Sequence, residues 1–415
     1  MTDATQGEGH DRIAELDVSA AGNAADVWSL SSNSREYYFT SMLPVEVHCH
    51  GFASADFSEF MRLDLRGLDK LCAEEGVLVI PTLYLHHDRL DEFERFMVRY
   101  SAMRRDGVIP RIVGIALEGP LLASRGGTPA STVWSPTKRE WERLASLGDL
   151  GLLYTVISPD ALQVTSNSSL NHKDVDLEWV VTTLVNSGLR PALGHFRRSD
   201  PVRSAEAVDH IIDVAYATSF PGRGARIITD HLFNDMPVKI RYAFRTPTLK
   251  LDRKSLLRSY DLPNWRLSDM EEIVGPVPSA IMRGAAAGRV AACVNFDGEH
   301  VDLTIAARAA ELMGFGNTMM MTDRCDSARL GGQKLHRVKQ NSLWYESNGI
   351  VAAGSQPLDT QMQSASSLIA ERRDVWQLAA GSAYAAFGIN SGPQGGSFVH
   401  KDSGVRSAVT SATTE

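Results

Sequence analysis

The sequence has few cysteines, no long apolar run and no excess of positive charge. Its four cysteines among 415 residues are scattered without a CxxC pair, which argues against a disulfide framework and favours a reduced cytoplasm. No apolar run approaches the ~20 residues that span a bilayer. The formal net charge of -8 argues against nucleic acid as the main partner. We therefore expect a cytoplasmic protein with neither a membrane nor a nucleic-acid partner.

Short apolar runs alternate with longer amphipathic stretches, which is typical of repeated β/α units around a parallel sheet. The candidate strands are Val45–Cys49, Val77–Leu83, Ile112–Leu117, Leu152–Ile157, Arg190–Gly194, Ala225–Asp230, Val290–Asn295 and Met319–Thr322. Helical patterns between them include Arg89–Arg104, Thr137–Ser146 and Asp302–Met313. Eight strands predict a closed (β/α)8 barrel, and an open doubly wound sheet is the alternative. No GxGxxG follows the first strand, so nothing supports a dinucleotide-binding fold.

The two ends and one internal connection differ from this repeated pattern. Residues 1–40 are polar, and we interpret them as a lead-in or as the remnant of a small β domain. Residues 41–390 are expected to form the barrel, and 391–415 a flexible tail rich in Gly, Ser and Thr. The long connection 237–288 is either a solvated excursion or a lid or subunit interface that presents positive charge to an anionic substrate. Its basic side chains include Lys239, Arg241, Arg245, Lys250, Arg253, Lys254 and Arg258.

His48 and His50 form the strongest local signal, because the sequence His-Cys-His-Gly ends the first strand. Residues i and i+2 of a strand point to the same side, so two imidazoles here can share one metal ion. Neutral imidazole is the commonest metal ligand in proteins. An isolated HxH match is nevertheless weak evidence for a metal site.

Four further residues of ligand type end other candidate strands. Glu118 ends the third strand, His195 the fifth, His231 the sixth and Asp323 the eighth. Each one alone could be a hydrogen-bonded core histidine, a helix cap or a turn aspartate. A carboxylate that ends an apolar run is costly to bury unless it is paired or coordinated. Because barrels carry their active sites at the carboxyl ends of the strands, the six residues together predict a site for divalent cations.

The order of these segments resembles the N-acetylglucosamine-6-phosphate deacetylase family of the amidohydrolase superfamily, over roughly residues 45–390. The segments are HCHG at 48–51, LEGP at 117–120, GH at 194–195, HLFNDM at 231–236, DGEHV at 297–301, TD at 322–323 and AAGS at 352–355. The segments HLFNDM and DGEHV narrow the resemblance toward the deacetylases. The resemblance implies a barrel of the amidohydrolase type.

The resemblance also implies a ligand set and a reaction. One metal ion would be held by His48, His50, Glu118 and Asp323, and the other by Glu118, His195 and His231. The cofactor would be zinc or iron, as one or two ions, and the intact HxH pair favours two. Metal-bound hydroxide would attack the N-acetyl amide of an anionic amino sugar, with Asp323 as general base and then general acid. The expected substrate contacts are Asn234, Asp235, Arg241 and His300, and the expected assembly is a homodimer.

Several departures from the family pattern leave the substrate open. The loop 124–129 lacks the histidine of the family's Lys-Gly-Ala-His stretch, and Asp235 stands where the family has a small residue. Arg241 is close to the position of the family's phosphate-reading arginine but does not match it cleanly. The terminal segments lack the pattern of the family's small β-sandwich, which we expect to be reduced or absent.

Three hypotheses for the function remain. The first is deacetylation of N-acetylglucosamine 6-phosphate. The second is hydrolysis of a different N-acyl amino sugar or amide in specialised metabolism. The third is a catalytically silent barrel used for binding, and the complete set of six ligand residues argues against it.

Overall fold

Eight short runs rich in Val, Ile, Leu and Met form the parallel strands of a single sheet. The computed structural model describes residues 42–53, 55–162 and 175–389, and the backbone of 397–399 and 406–408. The strands are β1 Val45–Cys49, β2 Leu78–Leu83, β3 Ile115–Leu117, β4 Leu152–Ile157, β5 Arg190–Leu193, β6 Ile228–His231, β7 Ala291–Asn295 and β8 Thr318–Met321. Each strand pairs with the next one along the chain, from β1 to β8.

The sheet closes on itself between β8 and β1. The backbone N–H of Asp323 donates to the carbonyl of His48 over 3.0 Å, and Cys49 forms a parallel bridge with Arg324. This closure excludes the open doubly wound sheet and confirms the predicted (β/α)8 barrel. All eight predicted strands are present, and their ends differ from the predicted bounds by a few residues.

Helices alternate with the strands and cover the outside of the barrel. They are α1 Leu65–Glu75, α2 Leu90–Arg105, α3 Lys138–Ser146, α4 Leu177–Asn186, α5 Pro201–Ala217, α6 Pro247–Ser259, α7 Met270–Ile273, α8 Pro276–Ala286, α9 Leu303–Met313, α10 Leu358–Ser366, α11 Arg372–Trp376 and α12 Ser382–Phe387. Polar residues cap several helix starts: Thr137 accepts from the backbone N–H of Glu140, and Asp302 accepts from that of Thr304. The three helices named from the sequence correspond to α2, α3 and α9.

Apolar side chains pack on both faces of the sheet. The outer layer lies between the strands and the helices. The inner layer fills the barrel with Val45, Val47, Leu78, Ile80, Val156, Met319 and Met321. Tyr384 and Phe387 of α12 pack against this inner layer. The barrel is therefore a packed core, and its polar site lies at the carboxyl ends of the strands.

The connection 237–288 contains helices with different roles. Helix α8 packs against α5 and α9, so it is the barrel helix that follows β6. Two helices precede α8, the longer α6 and the short α7. None of the residues of α6 is buried. Arg253 of α6 forms a salt bridge with Asp302 at the start of α9. The extra part of this connection therefore ends before Pro276.

A second excursion follows β8 and forms another wall of the mouth. Its strands are Arg329–Leu330, paired with Gln333–Lys334, and the three-stranded antiparallel sheet of His336–Arg337, Trp344–Tyr345 and Val351–Ala353. A small hairpin of Gly51–Phe52 and Ala55–Asp56 follows β1.

The predicted lead-in at 1–40 lies outside the described residues, as does most of the predicted tail at 391–415. Ser397–Val399 and Arg406–Ala408 pair as an antiparallel ribbon. A reduced or absent β-sandwich therefore stays a prediction. Within the part of the chain that the structure describes, every helix is too short or too polar to cross a membrane.

Candidate metal-binding site

Glu118 lies at the centre of a buried cluster at the carboxyl-terminal mouth of the barrel. Its Oε2 atom is 3.0 Å from His48 Nε2 and 3.2 Å from His50 Nε2. Its Oε1 atom is 3.3 Å from His195 Nε2. Asp323 joins the cluster through Oδ1, which is 3.2 Å from His50 Nε2. Five of the six predicted ligand residues are thus in direct contact.

His231, the sixth residue, reaches the cluster through Asp230, which the sequence analysis did not include in the site. The Nε2 atom of His231 is 3.3 Å from Asp230 Oδ2, and that oxygen is 3.0 Å from His195 Nε2. The residues form two sets, and within each set the ligand atoms lie within 4.8 Å of one another. The first set is Glu118, His195, Asp230 and His231, and the second is His48, His50 and Glu118. Glu118 is common to both sets.

Irregular strand pairing explains why consecutive residues enter the cluster. Between Ile228 and His231, β6 contains one residue more than the facing part of β7. Asp230 and His231 therefore both face the mouth, against the usual alternation of a strand. A similar extra residue lies in β1 between Glu46 and Cys49. The period-two pattern of the sequence contains no sign of either irregularity.

The backbone of two predicted ligands has an uncommon conformation. His195 and Asp323 have φ values of 55° and 53°, in the left-handed region. Side chains other than glycine adopt this region at a cost of about 1 kcal/mol or more. Such conformations concentrate at functional sites, and here each lies two residues after the end of its strand, β5 or β8.

Backbone carbonyls fix the orientation of two imidazoles. His50 Nδ1 donates to the carbonyl of Thr82 over 3.1 Å, and His195 Nδ1 donates to the carbonyl of Ser124 over 3.0 Å. Because a carbonyl can only accept, each Nδ1 carries a proton and each neutral ring presents a lone pair on Nε2 to the cluster. This is the tautomer in which Nε2 can bind a metal ion.

The buried carboxylates favour positive charge at the centre of the cluster. Burial alone would lower the pKa of His50, but Asp323 and Glu118 raise the pKa to about 10. Burial alone would raise the pKa of Glu118, but the adjacent imidazoles, led by His195, hold it well below its usual range. A divalent cation balances the negative charge of these carboxylates and leaves the imidazoles neutral, as metal ligation requires.

Several buried polar atoms at this site form no hydrogen bond within the described residues. They are Nε2 of His195 and His300, Nδ1 of His231, and Oδ2 of Asp230 and Asp235. Most buried polar atoms are hydrogen-bonded, and one left unmatched costs about 1–3 kcal/mol. Because the unmatched atoms include facing lone pairs of an imidazole and a carboxylate, these residues fit a divalent cation.

Two of the predicted substrate contacts, Asn234 and His300, are buried beside the cluster and line the cleft above it. His300 Nε2 is 3.3 Å from Asp323 Oδ2, and its Nδ1 is 2.6 Å from Asp297 Oδ2. The two carboxylates hold the imidazole from both sides. His300 is therefore placed to orient Asp323, and its predicted contact with a substrate stays a prediction.

The other two predicted contacts lie at different depths. Asp235 touches the cluster, with Oδ2 2.9 Å from His195 Nδ1, and despite burial the adjacent imidazole lowers its pKa to about 2. Arg241 is exposed at the rim of the cleft. Arg245 lies deeper, because its Nη2 donates to Asn234 Oδ1 over 3.2 Å. The sequence did not distinguish Arg245 from the other basic residues of the connection.

The unusual loop 124–129 contacts the cluster through Thr128. The buried hydroxyl of Thr128 donates a hydrogen bond to Glu118 Oε1. Arg125 forms a two-bonded salt bridge with Glu346 of the excursion after β8, and one of its bonds is 2.9 Å long. The loop therefore ties the central carboxylate to a wall of the mouth. The missing histidine of this loop is evident from the sequence, whereas the contact of the Thr128 hydroxyl depends on the path of the loop.

A cleft of about 1050 Å³ opens above the cluster. Its walls come from the connection before α8 and from the excursion after β8. Cationic side chains among the lining residues are Arg198, Lys239, Arg241 and Arg245. The base of the cleft thus carries carboxylates and imidazoles, while its walls carry positively charged side chains.

No protein-family model matches this sequence, and no curated protein is significantly similar to it. Similar folds are found among solved structures. A variant of the N-acetyl-D-glucosamine-6-phosphate deacetylase from Mycobacterium smegmatis, in complex with N-acetyl-D-glucosamine-6-phosphate, is 18% identical with a TM-score of 0.58. The alignment covers 84% of this chain and 78% of that one.

Two further deacetylase structures are similar to a comparable extent. The N-acetylglucosamine-6-phosphate deacetylase from Pasteurella multocida is 13% identical with a TM-score of 0.61, over 84% of this chain and 76% of that one. The enzyme from Thermotoga maritima is 12% identical with a TM-score of 0.55, over 84% and 79%. This chain therefore has the barrel fold of the N-acetylglucosamine-6-phosphate deacetylases.

Proposed function

We propose that this protein is a metal-dependent hydrolase that removes the N-acetyl group of an anionic amino sugar, N-acetylglucosamine 6-phosphate or a close relative. The observation that carries the proposal is the buried cluster of four imidazoles and three carboxylates at the barrel mouth. Among the described residues, the facing atoms His195 Nε2 and Asp230 Oδ2 have no hydrogen-bond partner, and the same fold occurs in deacetylases of this substrate. The reaction takes up water and releases acetate and the free amine.

The ligand residues proposed from the sequence are His48, His50, Glu118, His195, His231 and Asp323. Zinc suits a set that combines imidazoles with carboxylates, and iron is the alternative. When bound, such a cation polarises the amide carbonyl and makes water easier to deprotonate. Glu118 contacts three of the imidazoles, so it is placed to bridge two ions.

Asp323 is the proposed general base and general acid. It accepts a proton from the water that attacks the amide carbon, and then delivers it to the leaving nitrogen. One of its oxygens faces His50 and the other faces His300, at 3.2 and 3.3 Å. These contacts hold the carboxylate at the base of the cleft. They also hold the pKa of Asp323 below its usual range against the effect of burial, so the carboxylate starts the reaction ionised.

An anionic group on the substrate fits the charge of the cleft walls. Arg245 is fixed by Asn234 and by the carbonyl of Glu299, to which its Nε donates over 2.8 Å. Arg241 and Lys239 lie at the exposed rim. A guanidinium held in place recognises phosphate better than a mobile cation, because less side-chain freedom is lost on binding.

Acetate release from zinc-loaded protein tests this proposal. N-acetylglucosamine 6-phosphate is the substrate, and unphosphorylated N-acetylglucosamine is the matched control. We expect kcat/KM to be at least about tenfold higher for the phosphorylated sugar, a difference of about 1.4 kcal/mol in transition-state binding. Metal-loaded protein that releases no acetate from any N-acetyl amino sugar contradicts the proposal.

A second candidate is hydrolysis of a different N-acyl amino sugar or amide in specialised metabolism. It is favoured by the loop 124–129, which carries Thr128 where a histidine-bearing loop was expected, and by the contact of Asp235 with His195. Activity on a larger N-acyl sugar that exceeds activity on N-acetylglucosamine 6-phosphate supports this candidate. A binding protein without catalysis is indicated if elemental analysis finds no metal in protein equilibrated with zinc.

Assembly and location complete the proposal. We propose a homodimer, to be measured by light scattering coupled to gel filtration. A cytoplasmic location agrees with four cysteines that are all buried and free.

A further inference from the structure

Asp230 is a carboxylate of the cluster that the proposed ligand set does not include. It is 1% exposed and lies among three imidazoles. Its Oδ2 atom is 3.0 Å from His195 Nε2 and 3.3 Å from His231 Nε2, and its Oδ1 atom is 3.6 Å from His48 Nδ1. Its position is therefore inside the cluster.

The two oxygens of Asp230 are bound differently. Oδ1 accepts a hydrogen bond of 2.7 Å from the backbone N–H of His231. Oδ2 accepts none within the described residues, although it is buried. A carboxylate oxygen left in this state costs free energy unless something positive lies beside it.

His195 does not supply that positive partner as a neutral ring. Its Nδ1 proton goes to the carbonyl of Ser124, so Nε2 presents a lone pair to Asp230 Oδ2 at 3.0 Å. In the part of the chain that the structure describes, neither atom has a hydrogen-bond partner. Two lone pairs that face each other at this distance repel, whereas a cation between the ligand atoms converts the repulsion into two bonds.

The backbone around Asp230 is adapted to its position. The extra residue of β6 turns Asp230 and His231 to the same side. On the neighbouring strand, a Cβ at Gly194 would lie 2.6 Å from Asp230 Cβ, so any larger residue would displace the carboxylate. Both features allow the Asp230 side chain to face the mouth, whereas regular strand pairing would direct it to the opposite face of the sheet.

We propose that Asp230 is a fourth protein ligand for the cation held by Glu118, His195 and His231. This inference rests on the proposed function, because it concerns the same metal site. A zinc ion in a catalytic site can expand to a fifth position, so four protein ligands still leave room for water or substrate. Three buried carboxylates exceed the charge of one divalent cation, and a second cation removes that excess.

Zinc content per chain tests the inference without reference to activity. Full-length protein is stripped with a chelator, reloaded with zinc, passed through a desalting column and measured by plasma mass spectrometry. The variants are Asp230→Asn and, as matched control, Asp160→Asn. Asp160 is a buried aspartate after β4 that also has an oxygen without a hydrogen bond, but it lies outside the cluster.

We expect about two zinc ions per chain in the wild type and in the Asp160 variant, and about one in Asp230→Asn. In Asp230→Asn, the affinity for the second zinc ion should fall by about tenfold or more. Asp230→Ser gives the same comparison if Asp230→Asn does not fold by circular dichroism.

Two zinc ions bound to Asp230→Asn with unchanged affinity would overturn the inference and leave the proposed function standing. A single zinc in the wild type that is retained with unchanged affinity in Asp230→Asn overturns it as well. A wild type that binds no zinc overturns both the inference and the proposed function, so the two failures are distinguishable.

Discussion

The two ends of the barrel bury charged side chains in opposite ways. At the amino-terminal floor, Arg190 is 2% exposed, and its Nε donates to the carbonyl of Ala225 over 2.8 Å. Its other donors also meet backbone carbonyls, and its guanidinium lies over the rings of Phe220 and Phe387. At the mouth, buried Nε2 and Oδ2 atoms of His195 and Asp230 face each other without hydrogen bonds.

The difference separates a structural charge from a functional one. Arg190 is satisfied by groups that the fold itself supplies, and burial lowers its pKa only to about 10, so it stays charged at neutral pH. At the mouth, His195 Nε2 and Asp230 Oδ2 have no hydrogen bond within the described residues, as expected for a proposed cation site. We therefore expect substitutions at the amino-terminal floor to lower the stability of the fold, and substitutions at the mouth to lower metal binding and turnover.

Replacing Asp323 is expected to have the largest effect at the mouth. Asp323→Asn removes the proposed base and acid but keeps the size of the side chain, so kcat should fall by about 10²–10⁴-fold. The midpoint of thermal unfolding and most of the bound zinc should remain. Steady-state acetate release measures the loss, with Asp160→Asn as control. Near-normal turnover would show that Asp323 has another role.

Replacing Arg190 is expected to have the largest effect at the floor. Arg190→Met keeps the apolar stem but leaves three carbonyls without their donor, so the free energy of unfolding should fall by about 3 kcal/mol. Zinc content and kcat should not change. Urea unfolding measures the stability, and a loss of zinc with unchanged stability would contradict the division between floor and mouth.

Removing the hydroxyl of Thr128 tests how the mouth positions its central carboxylate. Thr128→Val should weaken zinc binding by about 10–100-fold, because the bond to Glu118 Oε1 is lost. Thr128→Ser should restore it. Thr132→Val is the matched control, since this buried hydroxyl donates only to the carbonyl of Pro129 over 2.8 Å. Equal zinc affinity in both valine variants would exclude a positioning role for Thr128.

The smallest expected effects concern the cations of the cleft walls. Arg245→Ala should raise KM for N-acetylglucosamine 6-phosphate about tenfold, and KM for the unphosphorylated sugar much less. Arg241→Ala should change KM by less than about threefold, because an exposed cation contributes little. Equal changes for both sugars in the Arg245 variant would indicate that Arg245 supports the cleft without contacting phosphate.

The fold and most of the cluster could be predicted because both follow from local patterns. Apolar runs of strand length recur at regular intervals, and residues of ligand type directly follow them. The position of each strand in the closed sheet then follows from chain order. Glu118 and Asp323, which are far apart in the sequence, could be assigned to one site on this basis alone.

Asp230 could not be predicted by the same reasoning. Alternation along a strand assigns Asp230 and His231 to opposite faces, and the irregularity that brings them together depends on pairing with β7. Thr128 was missed because its contact depends on the path of the loop. Gly126 allows that path, since a Cβ there would lie 2.8 Å from Asp235 Oδ2. Such close approaches are set by tertiary packing.

A crystal structure of zinc-loaded protein, with anomalous data collected at the zinc edge, would locate the bound cations. We predict one peak bounded by His48, His50 and Glu118, and a second bounded by Glu118, His195, Asp230 and His231. Data without any peak at the cluster, from protein equilibrated with excess zinc, would contradict the central claim that this mouth is a metal site.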